Sequence, residues 1–132
     1  MATTSRFPGN SLTLANEQSD NTSRIVTNIF LTPAYAATIA IGTPGAAKII
    51  VQPATLTGAV TFTAGVGTSS TPPYVGDEMY FMLVSGGTTE TATFGTGFQV
   101  NGTFAVTTGK YGTIGFIFNG SYWVETARTV TA

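Results

Sequence analysis

The chain is divided into short runs of Val, Ile, Thr, Phe and Tyr, and glycine, proline or asparagine separates most runs from the next. Such runs are typical of β-strands, and regularly spaced turn signals between them are typical of β-sandwiches and barrels. The pattern predicts an all-β domain, and a jelly-roll-like β-sandwich is the leading architecture. We predict nine strands, at residues 24–31, 36–41, 48–52, 59–63, 78–84, 88–94, 103–107, 113–118 and 122–127.

The amino-terminal segment, residues 1–23, differs from the rest of the chain. It contains three asparagines and two acids but few aliphatic residues, and it shows no sustained hydrophobic period of 2 or 3.6. A chain of 132 residues can bury a sufficient core as one domain. We therefore predict an extended N-terminal arm over residues 1–23 and a single β-sandwich domain over residues 24–132.

The strongest local signal is a β-hairpin near the carboxyl end. Asn119 and Gly120 favour a type I′ turn with a two-residue loop, which would place Phe116 opposite Trp123 on one face of the ribbon. The other face is also apolar and carries Ile117, Tyr122 and Val124. A second sheet of the same domain, the N-terminal arm or a neighbouring subunit must cover this second face.

A second pattern is a glycine-rich corner between two aromatic positions, Phe94 and Phe98. The intervening Gly95-Thr96-Gly97 permits a sharp bend while the two rings anchor it, as a chain crossing between two sheets requires. The predicted core contains Phe94, Phe98, Phe116 and Trp123.

Composition argues against several functions. Only 8% of the residues are charged and the net charge is -1, so the chain lacks the basic surface that binds nucleic acids or anionic membranes. The most apolar segment, 29–41, is too short to span a membrane. The sequence has no His and no Cys, which removes the usual general base, the thiolate nucleophile and most transition-metal ligand sets. We expect no enzymatic activity, no catalytic or metal-binding residues and no cofactor.

The six acidic residues do not form an obvious catalytic pair. Asp77 and Glu78 are adjacent and would point to opposite faces of a strand, so we interpret them as solvated turn and edge charges. Glu125 could pair with Arg128 or with a partner.

The carboxy-terminal half resembles a β-rich module of tailed-bacteriophage virion proteins, of the capsid decoration and head-fibre class. Three parts carry the resemblance in order: a GD turn into a hydrophobic strand, a Phe-Gly-x-Gly-Phe corner, and a strand that ends in Asn-Gly and leads to Trp-x-Glu. They are GDEMYFMLV (76–84), TFGTGFQVNGT (93–103) and FIFNGSYWVETAR (116–128), and the resemblance covers about residues 48 to 128.

The resemblance implies a structural protein, without catalytic activity, that binds the major capsid protein on the outer surface of a phage head as a homotrimer. We expect the subunit interface of this trimer to use the second apolar face of the hairpin, Ile117, Tyr122 and Val124. We expect the arm to dock on the shell through Arg6, Phe7 and Arg24. No export signal is recognisable in residues 1–13, so we expect synthesis in the host cytoplasm and a final location on the virion.

The alternative is a tail-fibre or head-fibre module that recognises a receptor or a surface glycan. Exposed aromatic side chains can form a platform for sugars, and Tyr74 with the loop 68–73 is the candidate site. Abundant, regularly placed copies on the head would favour decoration, whereas a few copies with glycan affinity would favour the receptor module.

Overall fold

The computed structural model describes residues 28–66 and 72–130, and these residues form ten β-strands in two sheets. The six-stranded sheet has the order β1-β3-β5-β9-β10-β7, and the four-stranded sheet has the order β2-β4-β6-β8. The predicted all-β class is confirmed, and the two sheets are compatible with a β-sandwich. The strands are β1 (Asn28–Leu31), β2 (Thr38–Gly42), β3 (Lys48–Val51), β4 (Val60–Ala64), β5 (Glu78–Val84), β6 (Glu90–Phe94), β7 (Phe98–Gln99), β8 (Phe104–Val106), β9 (Tyr111–Phe118) and β10 (Trp123–Val130).

The chain alternates between the two sheets from β1 to β9, and only the β9–β10 connection stays within one sheet. Strands β1, β3 and β5 are parallel neighbours, and so are β2, β4 and β6. The first six strands therefore form three turns of a coil, each turn contributing one strand to each sheet. Five of the eight strand pairings are parallel. Since a jelly roll is built from antiparallel Greek keys, the predicted jelly-roll-like topology does not match the described strands.

Each of the nine predicted strands has a counterpart in the described chain. Strand β7 was not predicted, because its two residues follow the glycine corner directly and lack a run of their own. Residues 24–27 of the first predicted strand lie outside the described residues, as does the whole predicted arm, 1–23.

Phenylalanine rings from both sheets fill the space between them. Phe62 of the four-stranded sheet lies 4.7 Å from Phe81 of the six-stranded sheet, measured between ring centroids. Phe94, also from the four-stranded sheet, lies 5.2 Å from Phe98 and 5.0 Å from Phe116 of the opposite sheet. All five rings are buried. Aromatic pairs at these separations add to the stability that burial of their surface provides.

Trp123 is buried at the start of β10. Its ring lies 5.2 Å from the ring of Phe118, its direct partner across the β9–β10 pair. The indole N–H donates to the Gly65 carbonyl at 3.4 Å, so this side chain also contacts the chain that leaves β4.

The glycine corner takes the chain from β6 in the four-stranded sheet to β7 in the six-stranded sheet, as predicted. Gly97 has a φ of 92°, a conformation that favours glycine. A Cβ atom at this position would lie 2.3 Å from the Ala64 carbonyl oxygen. The corner therefore requires glycine at 97 both for its backbone conformation and for the close approach of β4.

The hairpin register differs from the predicted one. Phe118 pairs with Trp123 and Ile117 with Val124, so the loop has four residues, 119–122, rather than two. Asn119 does not have a positive φ, as a type I′ turn would require. Its side-chain oxygen instead accepts the backbone N–H groups of Ser121 and Tyr122, each at 2.9 Å. Because the pairing moves by two residues, Phe116 and Trp123 still point to the same face.

Candidate interaction surface

The outer face of the six-stranded sheet carries apolar side chains in two cross-strand rows. Direct pairing places Phe30, Ile50 and Tyr80 side by side on β1, β3 and β5. In the next row Ile117 pairs with Val124. Phe30, Tyr80 and Ile117 are at least 36% exposed, and Ile50 and Val124 are half-buried. We call these five residues the outer band.

The ring of Tyr80 lies against the backbone of β9 at Gly115, its cross-strand partner. A Cβ atom at Gly115 would come within 2.9 Å of the Tyr80 ring. The hydroxyl of Tyr80 donates to Glu78 Oε1 at 2.7 Å, and Lys48 Nζ lies 5.5 Å from the centre of the ring. The hydrogen bond to Glu78 raises the pKa of Tyr80. These contacts fix the position of the ring, and the side chain remains 36% exposed.

The outer face of the four-stranded sheet has a different chemistry. Its central row contains Thr38, Thr61 and Thr93 on three parallel strands. Alanine and further threonine residues flank this row, at Ala40 and Thr91. Large exposed apolar side chains therefore concentrate on the six-stranded sheet, while the opposite outer face carries small, uncharged side chains.

The hairpin loop extends the apolar surface beyond the end of the sheet. Tyr122 is 43% exposed and lies directly before β10. Val75, in the turn before β5, is 74% exposed, and its Cγ2 would lie 3.4 Å from a Cβ atom at Gly120. Tyr74, in the same turn, is 39% exposed. Two loops thus add exposed apolar groups at one end of the six-stranded sheet.

Asp77 fixes the turn that leads into β5. It is buried, contrary to the solvated position that we predicted. Its Oδ2 accepts the backbone N–H of Tyr74 at 2.8 Å, and Gly76 between them has a φ of 95°. The GD pair is therefore a structural turn, in which the carboxylate caps a backbone donor.

Glu125 and Arg128 form an ion pair on β10, next to the β7 edge of the six-stranded sheet. Arg128 donates to both carboxylate oxygens of Glu125, at 2.7 and 2.9 Å. Arg128 also donates to the carbonyls of Asn101 and Thr103, and the Asn101 N–H donates to Glu125. The predicted Glu125–Arg128 pair is confirmed, and it ties the loop after β7 to β10. An open recess of about 390 Å³ lies here, lined by Gln99, Val100, Asn101, Val124, Glu125 and Thr126.

Within residues 28–66 and 72–130, no three His, Cys, Asp or Glu side chains come together as metal ligands. The same residues include no helix long and apolar enough to cross a membrane. The chain matches no protein-family model and no curated protein.

The predicted site residues fall into three groups. The core residues Phe94, Phe98, Phe116 and Trp123 are buried between the sheets. Ile117 and Val124 are paired on the outer face of the β9–β10 hairpin, and Tyr122 is exposed in the loop between these strands. The proposed arm contacts Arg6, Phe7 and Arg24 lie outside the described residues.

Sequence reasoning missed the part of the outer band on β1, β3 and β5. Phe30, Ile50 and Tyr80 are far apart in the sequence, and parallel pairing alone brings them into one row. The alternation of apolar and polar residues could assign each of these side chains to one face of its own strand. It could not show that the three strands are neighbours.

Proposed function

We propose that this protein is a structural virion protein that binds the outer surface of a phage capsid and stabilises it as a homotrimer. The observation that carries the proposal is the outer band, together with Tyr122 at its end. Exposed apolar side chains collected on one sheet face are typical of a protein interaction site. Burial of such surface stabilises an assembly by about 25 cal/mol per Å². The hairpin residues Ile117, Tyr122 and Val124 are the proposed subunit contact.

Assembly on a repeating shell multiplies weak contacts, because each subunit of a symmetric oligomer binds close to its neighbours. A protein that binds only the assembled shell lowers the free energy of that state. The sequence resemblance to decoration proteins supplies the partner, the major capsid protein.

Copy number in purified virions tests the decoration function. Quantitative mass spectrometry against the major capsid protein should give a ratio that matches the capsid lattice. A few copies per virion would favour a tail or fibre module, and absence from virions would contradict a virion role.

Oligomeric state tests the proposed interface. We expect the protein to be a trimer in multi-angle light scattering, and Ile117→Asp to give monomers with an unchanged circular dichroism spectrum. The matched control is Thr93→Asp, which adds the same charge to the outer face of the four-stranded sheet and should leave the trimer intact. A monomeric wild type at tens of micromolar, or equal effects of both variants, would contradict the interface.

A second candidate function is recognition of a glycan, favoured by the recess beside Gln99 and Asn101 and by the exposed ring of Tyr74. Amide side chains and aromatic rings are common partners of neutral sugars. A glycan array with the purified protein tests this candidate. Tyr74→Ala should remove the signal if the turn before β5 binds the sugar, and Asn101→Ala should remove it if the recess does.

A further inference from the structure

The first turn of the coil is open on one side. Within the described chain, no strand pairs with the free edge of β1 or with that of β2. The missing neighbours lower the burial of the inward-facing side chains of β1. Ile29 and Leu31 of β1 are half-buried, while their partners on β3, Ile49 and Val51, are at most 1% exposed. The first turn therefore lacks the neighbour that covers each later turn.

A cleft of about 380 Å³ lies between β1 and β2 at this open end. No charged side chain lines it; the lining is Leu31, Thr32, Pro33, Ile39, Ala40 and Ile41. The two strand edges beside the cleft present backbone N–H and C=O groups. An extended segment with apolar side chains fits both features, because it can pair with an edge and place alternate side chains in the cleft.

The chain itself supplies a segment of the required length at the required place. Residues 1–27 precede Asn28, the first residue of β1, so they join the domain at the open end. In one turn of the coil, the chain runs from a residue to its partner on the neighbouring strand, for example from Asn28 to Lys48. Residues 1–27 exceed this length. The preceding segment is therefore long enough to add a strand to one edge. It includes the apolar residues Leu12, Leu14, Ile25 and Val26.

We propose that residues 11–27 bind in cis to the cleft between β1 and β2 and cap the open end of the coil. Coiled β architectures need such a cap, because an uncovered terminal turn exposes both its apolar side chains and its strand edges. The proposal is independent of the capsid function. It leaves Arg6 and Phe7, which precede the capping segment, available for contact with a shell, and it places Arg24, the third predicted shell contact, within the capping segment.

Disulfide trapping tests the position of the segment, and the chain has no native cysteine to interfere. In the full-length protein, the pair Leu14→Cys with Ile41→Cys should oxidise at least tenfold faster than the pair Leu14→Cys with Thr91→Cys. Thr91 is exposed on β6, in the third turn of the coil. The faster product should run as a monomer in non-reducing gels. Equal rates for the two pairs would overturn the proposal, and so would a mainly intermolecular disulfide.

Hydrogen exchange gives an independent readout without a shell. We expect Leu12→Ser with Leu14→Ser to speed exchange of the β1 and β2 amides at least tenfold, while β5 and β9 are unchanged. The control, Asn16→Ser with Asn21→Ser, alters the same segment without removing apolar groups and should have no effect. Unchanged β1 and β2 exchange in the leucine variant would overturn the cap. Because neither measurement involves a virion, failure of the cap and failure of the capsid function are distinguishable.

Discussion

Three segments of chain meet at Gly97. Its carbonyl accepts the Trp123 N–H at 2.9 Å, and the neighbouring Thr96 carbonyl accepts the Ala64 N–H at 3.0 Å. The corner therefore joins the end of β4 to the start of β10, on opposite sheets. Any side chain at 97 would disturb both hydrogen bonds, since it must displace the β4 backbone.

We expect Gly97→Ala to destabilise the domain strongly. The positive φ alone costs a non-glycine residue about 1–3 kcal/mol, and the contact with Ala64 adds to this. The measurement is the free energy of unfolding in urea. Gly87→Ala is the matched control, because nothing lies within 4 Å of its Cβ position and its φ is not positive. A similar loss for both variants would contradict the role of the corner.

The Glu125 carboxylate makes stability depend on pH. Its hydrogen bonds from Arg128 lower its pKa, and the Asn101 N–H acts in the same direction. A carboxyl whose pKa is lower in the folded state stabilises the fold above its unfolded pKa, about 4.3. That contribution is lost as the pH falls through the folded pKa.

We therefore expect Glu125→Gln to lower the free energy of unfolding at pH 7 and to have a smaller effect as the pH falls below about 4. Urea titrations at several pH values measure this difference. Arg128→Met is the paired control, because it removes the same interaction and should show the same pH trend. A pH-independent loss in both variants would assign their effect to packing.

At the scale of elements, the β9–β10 loop depends on one side chain. Asn119 accepts two backbone N–H groups, and its own N–H donates to the Tyr122 carbonyl at 3.0 Å. The side chain thus organises the four-residue loop and sets the register that pairs Phe118 with Trp123.

We expect Asn119→Ala to destabilise the domain by about 1–2 kcal/mol, because two backbone donors lose their acceptor. Asn119→Asp should retain most of the stability, since a carboxylate accepts the same bonds. Ser121→Ala serves as the control within the loop. Unfolding in urea gives these differences, and an unchanged free energy in Asn119→Ala would contradict the loop geometry.

The individual elements could be predicted because their signals are local. Alternation and turn residues identified the strands, and the glycines between Phe94 and Phe98 identified the crossing between sheets. The hairpin register could not be predicted in the same way. The Asn-Gly pair favours a two-residue turn on average, but here the asparagine side chain competes by bonding the backbone of a longer loop.

At the scale of the whole molecule, the sequence did not predict which strands are neighbours. Regular turn spacing is compatible with antiparallel Greek keys and with a parallel coil, because both consist of short strands joined by loops. The difference lies in pairings between residues that are distant in the sequence, such as Asn28 with Lys48 and Thr61 with Thr93. The same limit applies to the outer band, which forms only when β1, β3 and β5 align.

The coil also allows the width of the two sheets to change by whole turns. The second turn, β3 with β4, lies between the first and third turns in the sheet order, and the β9–β10 hairpin lies beyond the third turn. A tandem duplication of residues 48–77 would therefore widen both sheets by one strand and leave the closing hairpin intact. In such a fold the number of turns sets the distance between the β1 edge and the closing hairpin. Each added or removed turn would change this distance by one strand spacing, about 4.8 Å, without a new core.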